Sequence, residues 1–350
     1  MPDVAHKGGA ARALSDFGGE WSQMMRFSRI GVVALLSLIV LMGANCSYYS
    51  RVMARKNLVD GSKAYKDRKF PEAEQLFRDA VSRDPRGEYV EGKTAQLFLA
   101  RTLHSEFIGN RSDKSKADAA ITEYQKALSL NPNDQSSYKA IASLYENLQK
   151  NDEWLKWVTA RANNTSIPPE QRAEALTSLA AKQNTCANDI SDTDKTKKTI
   201  TKDGKQAFQF VKPENAADYE SLKKCIAEGT QLIDQAVALE PDQVKNAAGI
   251  DVKGSTDAQL QANLDLLKVF ESARSYKTSL LFQSMRLSEM DGKTADRDAM
   301  KQQGEAARAK FLELSDKVKK IQGEIDDRAA VKDAATKGDK ANKNADANKK

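Results

Sequence analysis

Few side chains in this 350-residue chain have the types and spacing needed for catalysis or metal binding. The two histidines, His6 and His104, are too few for a multi-histidine metal site, and His104 follows Leu103 on an expected helix, where packing explains it. No phosphate-binding glycine loop, Ser/His/Asp set or CxxC motif is present. We therefore expect a protein that is not an enzyme, with no catalytic residue, cofactor, metal or small-molecule substrate.

Three aspartates and two tryptophans could suggest a calcium site and a partner-binding site, but each group has a simpler explanation. Asp189, Asp192 and Asp194 lack the alternating ligands, central glycine and terminal glutamate of a calcium loop, so a solvated acidic loop is expected. Trp154 and Trp157 are three residues apart on one helical face, and core packing explains them better than a partner-binding anchor.

The three cysteines divide into one beside an apolar run and two in the body of the chain. Cys186 and Cys225 stand at the two ends of one expected insertion, so in an exported protein they are candidates for a disulfide. A pair of unrelated, reduced cysteines is the alternative. Cys46 lies near the C-terminal end of the apolar run.

That apolar run, residues 30–50, contains no charged residue and follows a basic and polar segment, 1–29. It is long enough to span a bilayer only if its polar end, which includes Asn45, is counted as interfacial. The alternative is a lipoprotein-type signal that begins at Met24 or Met25 and leads to lipidation at Cys46, although the preceding Gly43-Ala44-Asn45 departs from the usual lipobox. Both alternatives attach the protein to a membrane.

Charge argues against nucleic-acid binding, although the chain carries a net charge of +6. Residues 1–56 hold seven Lys/Arg against three acids, and residues 331–350 hold six against three. The body between them is therefore close to neutral, whereas nucleic-acid binding needs clustered positive charge. We expect no nucleic-acid partner.

Small and aromatic residues recur in the body at the spacing of paired helices. In the first such unit they are Gly61, Ala64, Ala73, Phe77, Ala80 and Pro85. This segment resembles one tetratricopeptide repeat, in which small residues let two antiparallel helices approach and a proline ends the second helix.

The same pattern returns three times with growing irregularity. The later positions that match it are Ala100, Ala120, Tyr124, Ala127 and Pro132, then Tyr138, Ala142 and Tyr145, and finally Gly229, Ala236 and Pro241. The spacing exceeds that of the repeat in two places, which predicts insertions near 105–117 and 184–216. The second contains Asp203-Gly204 between alternating segments, the signal of a β-hairpin.

Beyond the repeats of 57–241, residues 260–328 are expected to form a helical pair, as a fifth repeat or a cap, with a turn at Met290-Asp291-Gly292. We expect its first helix to bury Leu266, Val269, Phe270, Ala273, Tyr276 and Leu280. The tail 329–350 is rich in Lys, Asn, Asp and Ala, and its composition predicts disorder.

Together these features predict an all-α fold, a tetratricopeptide-repeat solenoid of antiparallel helix pairs with inserted loops, preceded by one N-terminal membrane helix or signal anchor. The chain also resembles membrane-anchored or lipoprotein-type bacterial tetratricopeptide proteins. That resemblance implies a place in the bacterial cell envelope. The signal-like start favours repeats in the periplasm, whereas the count of Lys and Arg on either side of the apolar run favours the cytoplasmic side. The curvature of a solenoid forms a groove, which predicts a scaffold that binds a protein or peptide. The alternative function is a permanent structural subunit of a membrane or cell-surface complex.

Overall fold

A computed structural model describes residues 48–202 and 204–347, with side chains except those of Lys202 and residues 335–347. The described chain is mostly helical and divides into two compact units, up to Leu144 and from Tyr145 onward, with the boundary inside one helix. That boundary falls within the third repeat expected from the sequence.

The described part of the first unit, residues 48–144, consists of helices and short connections. The helices are α1 (residues 48–66), α2 (Phe70–Arg83), α3 (Val90–Gly109), α4 (Lys114–Leu130) and α5 (Gln135–Asn147), the last of which continues into the second unit. Short connections force neighbouring helices to pack antiparallel, and α2 packs on α3 as α3 does on α4. The described part of the unit is an array of antiparallel helix pairs.

The extra residues near 105–117 do not form the expected inserted loop. Instead they lengthen both partners, because α3 runs to Gly109 and α4 begins at Lys114. Phe107 and Ala117 are buried in these extensions, so continuing the two helices covers more apolar surface than an exposed loop would. The expectation of a loop here was wrong.

The second unit contains longer helices and one small sheet. Its elements are α6 (Asn151–Asn163), α7 (Pro169–Ser191), β1 (Lys197–Lys202), β2 (Lys205–Phe210), α8 (Ala216–Ala238), α9 (Asp242–Lys245), a 3₁₀ turn (Ala247–Gly249), α10 (Asp257–Met290) and α11 (Thr294–Ala347). Thr256 and Gln259 form a capping box that begins α10, and the Asn215 side chain caps α8.

Of the segment 184–216, expected as an insertion, only residues 184–191 and Ala216 are helical, and the residues between them hold the β1–β2 hairpin. α7 continues to Ser191 and α8 already begins at Ala216, so the two helices pack along much of their length. A buried cluster closes their far end; its members are Ala187, Phe210, Leu222, Cys225, Ile226 and Met290. These buried apolar residues explain why both helices extend beyond the repeat length.

A disulfide and a hairpin complete this end of the unit. The sulfurs of Cys186 on α7 and Cys225 on α8 are bonded, with the α-carbons 6.1 Å apart. The predicted hairpin is confirmed: β1 and β2 are antiparallel, and Lys202 pairs with Lys205 across the two-residue connection. Phe210 anchors the hairpin by inserting into the cluster.

The C-terminal pair forms as predicted, and its turn uses Gly292 at a φ of +71°, a conformation that favours glycine. The buried face of α10 differs slightly from the expected one, since Leu264 and Leu267 are buried while Leu266 and Val269 are half-exposed. α11 continues to Ala347, across the segment whose composition predicted disorder. Alanine and lysine have high helix propensity, which lets the helix continue without an apolar face.

The membrane prediction concerns residues that the structure mostly does not describe. Of the segment 30–50, only residues 48–50 are described, and they belong to α1. Cys46, His6 and the segment 1–29 lie outside the described residues. Within residues 48–202 and 204–347, no helix combines the length and apolar character needed to cross a bilayer.

Candidate functional site

Most residues that define the expected repeats lie in helix interfaces. Buried positions are Gly61, Ala64, Ala73, Phe77, Ala80, Ala100, Ala120, Tyr124, Ala127, Tyr138, Gly229 and Ala236. Ala142, Tyr145 and Pro241 are half-buried, and Pro85 and Pro132 are exposed beyond their helices. These residues position helices, and they do not line a common cavity.

A polar network joins three helices of the first unit. The ammonium group of Lys116 on α4 lies 2.7 Å from Glu74 on α2 and 2.6 Å from Glu106 on α3. Burial raises the pKa of Glu106, although the ion pair with Lys116 opposes that shift. Between α3 and α4, the side-chain amide of Gln96 donates a hydrogen bond to Glu123 Oε2 at 2.7 Å. We interpret these contacts as fixing the helix array.

Neither His104 nor the tryptophans form a chemical site in the structure. His104 Nδ1 is 3.4 Å from the hydroxyl of Tyr124, and burial lowers the pKa of the imidazole, so the ring is packed in its neutral form. Trp154 is buried with the Lys182 ammonium 5.0 Å from its ring, and Trp157 is half-buried. Of the acidic loop, Asp192 is ion-paired with Lys197 at 2.8 Å.

The second unit contains a concave surface, which we call the α11 groove. It has a volume of about 880 Å³ and lies between α11 on one side, α8, α9 and the 3₁₀ turn on the other, and α10 at its base. Its lining on α11 runs from Gln303 to Lys320, which spans about 26 Å at the helical rise of about 1.5 Å per residue.

The interior of the α11 groove is apolar, and many of its side chains are short. Half of the apolar lining residues are alanines; the apolar lining residues are Val237, Val244, Ala247, Ala248, Leu281, Ala306, Ala307 and Leu314. Small residues on facing elements leave an open volume that a ligand side chain can fill.

Charged residues form the rim of the α11 groove and one buried pair at its base. Arg274 Nε is 3.3 Å from Glu240 Oε2, and Arg274 Nη1 donates to the carbonyl oxygen of Lys310 at 2.9 Å, which ties α8, α10 and α11 together. On the rim, Lys317 donates to the carbonyl oxygen of Ile250 at 2.9 Å. Glu313 and Lys320 complete a rim that carries charges of both signs.

The chemistry of this lining suits binding. Its residue types are Val, Leu, Ala, Gln, Glu, Asp, Lys and Arg, so the described lining contains no histidine, cysteine or hydroxyl nucleophile. An apolar strip with a charged rim matches an amphipathic peptide.

The α11 groove was not expected from the sequence. Residues 260–328 were expected to form a helical pair, as a fifth repeat or a cap, although the stripe Gln303, Ala307, Lys310, Leu314 and Lys317 recurs every three or four residues and marks one face of α11. The signal was present in the sequence. Its partners on α8 and α9 are 60 to 80 residues away, so only the fold brings them together.

Comparisons with known proteins do not assign the chain to a family. No family model matches it, and no characterised protein matches it. One solved structure, described as the functional characterization of Pseudomonas aeruginosa pilF, aligns with 76% of this chain and 98% of its own at 13% identity and a TM-score of 0.30. A TM-score this low carries no property of that protein over to this chain.

Proposed function

We propose that this protein is a non-catalytic scaffold, tethered to a membrane by residues 30–50, that binds a helical segment of a protein partner in the α11 groove. The observation that carries the proposal is the groove itself: an alanine-lined, apolar strip about 26 Å long with a charged rim. That length matches about 17 residues of an α-helix, and the rim charges of both signs would set its register.

The wider setting follows from the sequence. The apolar run 30–50 supports membrane attachment, and the helix pairs of the first unit support a scaffold because such arrays present extended surfaces rather than reactive centres. The chain's resemblance to membrane-anchored bacterial repeat proteins supports a place in the cell envelope with a periplasmic body. A permanent structural subunit is the competing function, and exchange of the partner distinguishes the two.

Photo-crosslinking in the full chain tests the proposal. A photoreactive phenylalanine analogue replaces Gln303 inside the α11 groove, and in a matched control it replaces Arg308, whose position on α11 faces away from the groove lining. We expect a protein adduct at position 303 that is absent at 308 and is lost when Ala307→Trp fills the groove. Mass spectrometry then identifies the crosslinked segment.

Other outcomes contradict the proposal. Equal adducts at both positions would show non-specific contact, and an intramolecular adduct would show that the chain fills its own groove. A partner that cannot be displaced by excess unlabelled protein would favour the permanent subunit. Each result is read from intact folded protein, since Ala307 is half-exposed and can be enlarged toward the open volume.

A further inference from the structure

The β1–β2 hairpin leaves one strand edge open. β2 contacts α10 and its Phe210 is buried, whereas β1 makes its principal contacts with β2. Lys202 and Lys205 pair across the two-residue turn, and Val211 donates to the carbonyl of Thr196 at 2.9 Å at the other end. These two positions fix the hydrogen-bonding phase of the ladder.

From that phase, alternate residues of β1 direct their backbone groups away from β2. Thr199 and Thr201 occupy such positions, and both are exposed. In an antiparallel ladder, the partner strand does not use the N–H groups at such positions. An unpaired row of this kind is the template on which a further strand can form.

The charge around this edge selects what can pair with it. Residues 194–212 contain six lysines and two aspartates. Two of the lysines are neutralised in the fold, since Lys197 lies 2.8 Å from Asp192 and Lys212 lies 2.8 Å from Asp291. Lys198 donates to the backbone carbonyl oxygen of Asp194, which is uncharged, so this contact does not offset the charge of the lysine. The remaining excess disfavours pairing of two β1 edges and favours an acidic strand.

The two faces of the hairpin differ, which adds a second requirement. Thr199 pairs with Phe208, whose side chain is 60% exposed, so this face offers an apolar contact. Lys198 and Lys205 occupy the other face of the sheet. A complementary strand would place carboxylates on the lysine face and an apolar residue on the Phe208 face.

We infer that β1 is a docking edge for an extended, acidic segment of a protein partner, which adds to the hairpin as a third strand. Backbone hydrogen bonds to Thr199 and Thr201 supply affinity, and the lysines supply selectivity. This surface is separate from the α11 groove, so the two proposals stand or fall independently.

A peptide of about seven residues, the length of a typical strand, in which glutamate alternates with valine, serves as the probe for the full chain. We expect salt-sensitive binding by fluorescence anisotropy, together with slower hydrogen exchange at the amides of Thr199 and Thr201. The same peptide with lysine in place of glutamate should not bind. Absence of binding by the glutamate peptide, or equal binding by the lysine peptide, would overturn the inference.

Two variants separate backbone pairing from charge. Thr199→Pro removes an outward N–H that the hairpin does not use, whereas Thr199→Val keeps it; the proline variant should bind about tenfold more weakly, the loss of one hydrogen bond. Lys198→Glu with Lys205→Glu should weaken binding, and the control Arg308→Glu with Lys319→Glu, the same charge change on α11, should not.

The Thr199→Pro substitution could disturb the hairpin itself, so a modified peptide provides a second test of backbone pairing. A peptide N-methylated at alternate positions cannot form the ladder, and it leaves the protein unchanged. Undiminished binding of this probe would contradict strand addition. Dimerisation of the chain through β1, detected by analytical ultracentrifugation and abolished by Thr199→Pro, would also contradict it.

Discussion

The backbone of Gly61 on α1 lies directly against the ring of Phe77 on α2. A Cβ atom at residue 61 would be 2.8 Å from Cε1 and 2.9 Å from Cδ1 of the fully buried Phe77. Close approach of the two helices therefore depends on the missing side chain. Gly61→Ala should lower the free energy of unfolding by about 1–3 kcal/mol, the cost typical of overpacking, as measured by urea denaturation.

Gly109→Ala is the matched control for this substitution. Gly109 is the last residue of α3 in the same unit, and a Cβ there would meet nothing within 4 Å. We expect this variant to change stability by less than about 1 kcal/mol, and in the stabilising direction if helix propensity dominates. Equal destabilisation by both substitutions would show that the ring of Phe77 is not the reason.

The Cys186–Cys225 bond closes a loop between residues 39 positions apart. Loop-closure entropy predicts that replacing both cysteines by serine costs about 3–4 kcal/mol of stability, and a reductant should lower the melting temperature of the native chain toward that of the variant. The variant itself should not respond to the reductant. Alkylation of both cysteines in unreduced, envelope-extracted protein would show that the bond does not form there.

Asp291 joins the turn after α10 to the segment that follows β2 and to α8. Lys212 lies 2.8 Å from its carboxylate and the Tyr219 hydroxyl donates to it, and these contacts lower the pKa of Asp291 to about 2. A carboxyl group with a lowered folded-state pKa stabilises the fold above its unfolded pKa, near 4, and this contribution is lost as the pH falls through about 2.

Asp291→Asn should therefore melt below the native chain at pH 6, and the difference should shrink between about pH 4 and pH 2. Scanning calorimetry at stepped pH values measures this difference. A gap that stays constant down to pH 2 would mean that the loss comes from side-chain shape rather than from charge. Lys301→Gln, which removes a weaker 4.0 Å pair on the surface of α11, should show no such dependence.

Removal of residues 1–50 should release the protein from membranes, because the apolar run 30–50 is the segment with the length and composition for attachment. Fractionation of the truncated chain into washed membrane and soluble fractions measures this. Continued sedimentation with the membranes would point to a protein partner as the tether.

Cys46→Ala separates the two modes of attachment. A lipidated chain would lose signal processing and change its mobility in a gel, whereas an uncleaved spanning helix would be indifferent to the substitution. Mass spectrometry of the mature N-terminus provides the direct measurement. Metabolic labelling with a fatty acid analogue gives an independent check on the same residue.

The sequence by itself determined the local elements of this protein. Small and aromatic residues at repeat spacing, such as Ala73 and Phe77, indicate paired helices because helix interfaces need that alternation of volumes. The Asp203-Gly204 pair between alternating segments predicted the hairpin, since a two-residue turn needs residues that tolerate positive φ. These signals act over a few residues, which is why they can be read without a structure.

Only the tertiary structure decided where the elements end and which surfaces they create. α7 and α8 extend beyond the repeat length because Ala187 on α7 and Leu222 on α8 are buried in one cluster with Phe210 of the hairpin. This cluster joins segments that are distant in sequence. The α11 groove arises in the same way, from elements that are far apart in sequence. Its geometry depends on how helices pack, and packing is a property of side-chain volumes in three dimensions rather than of local spacing.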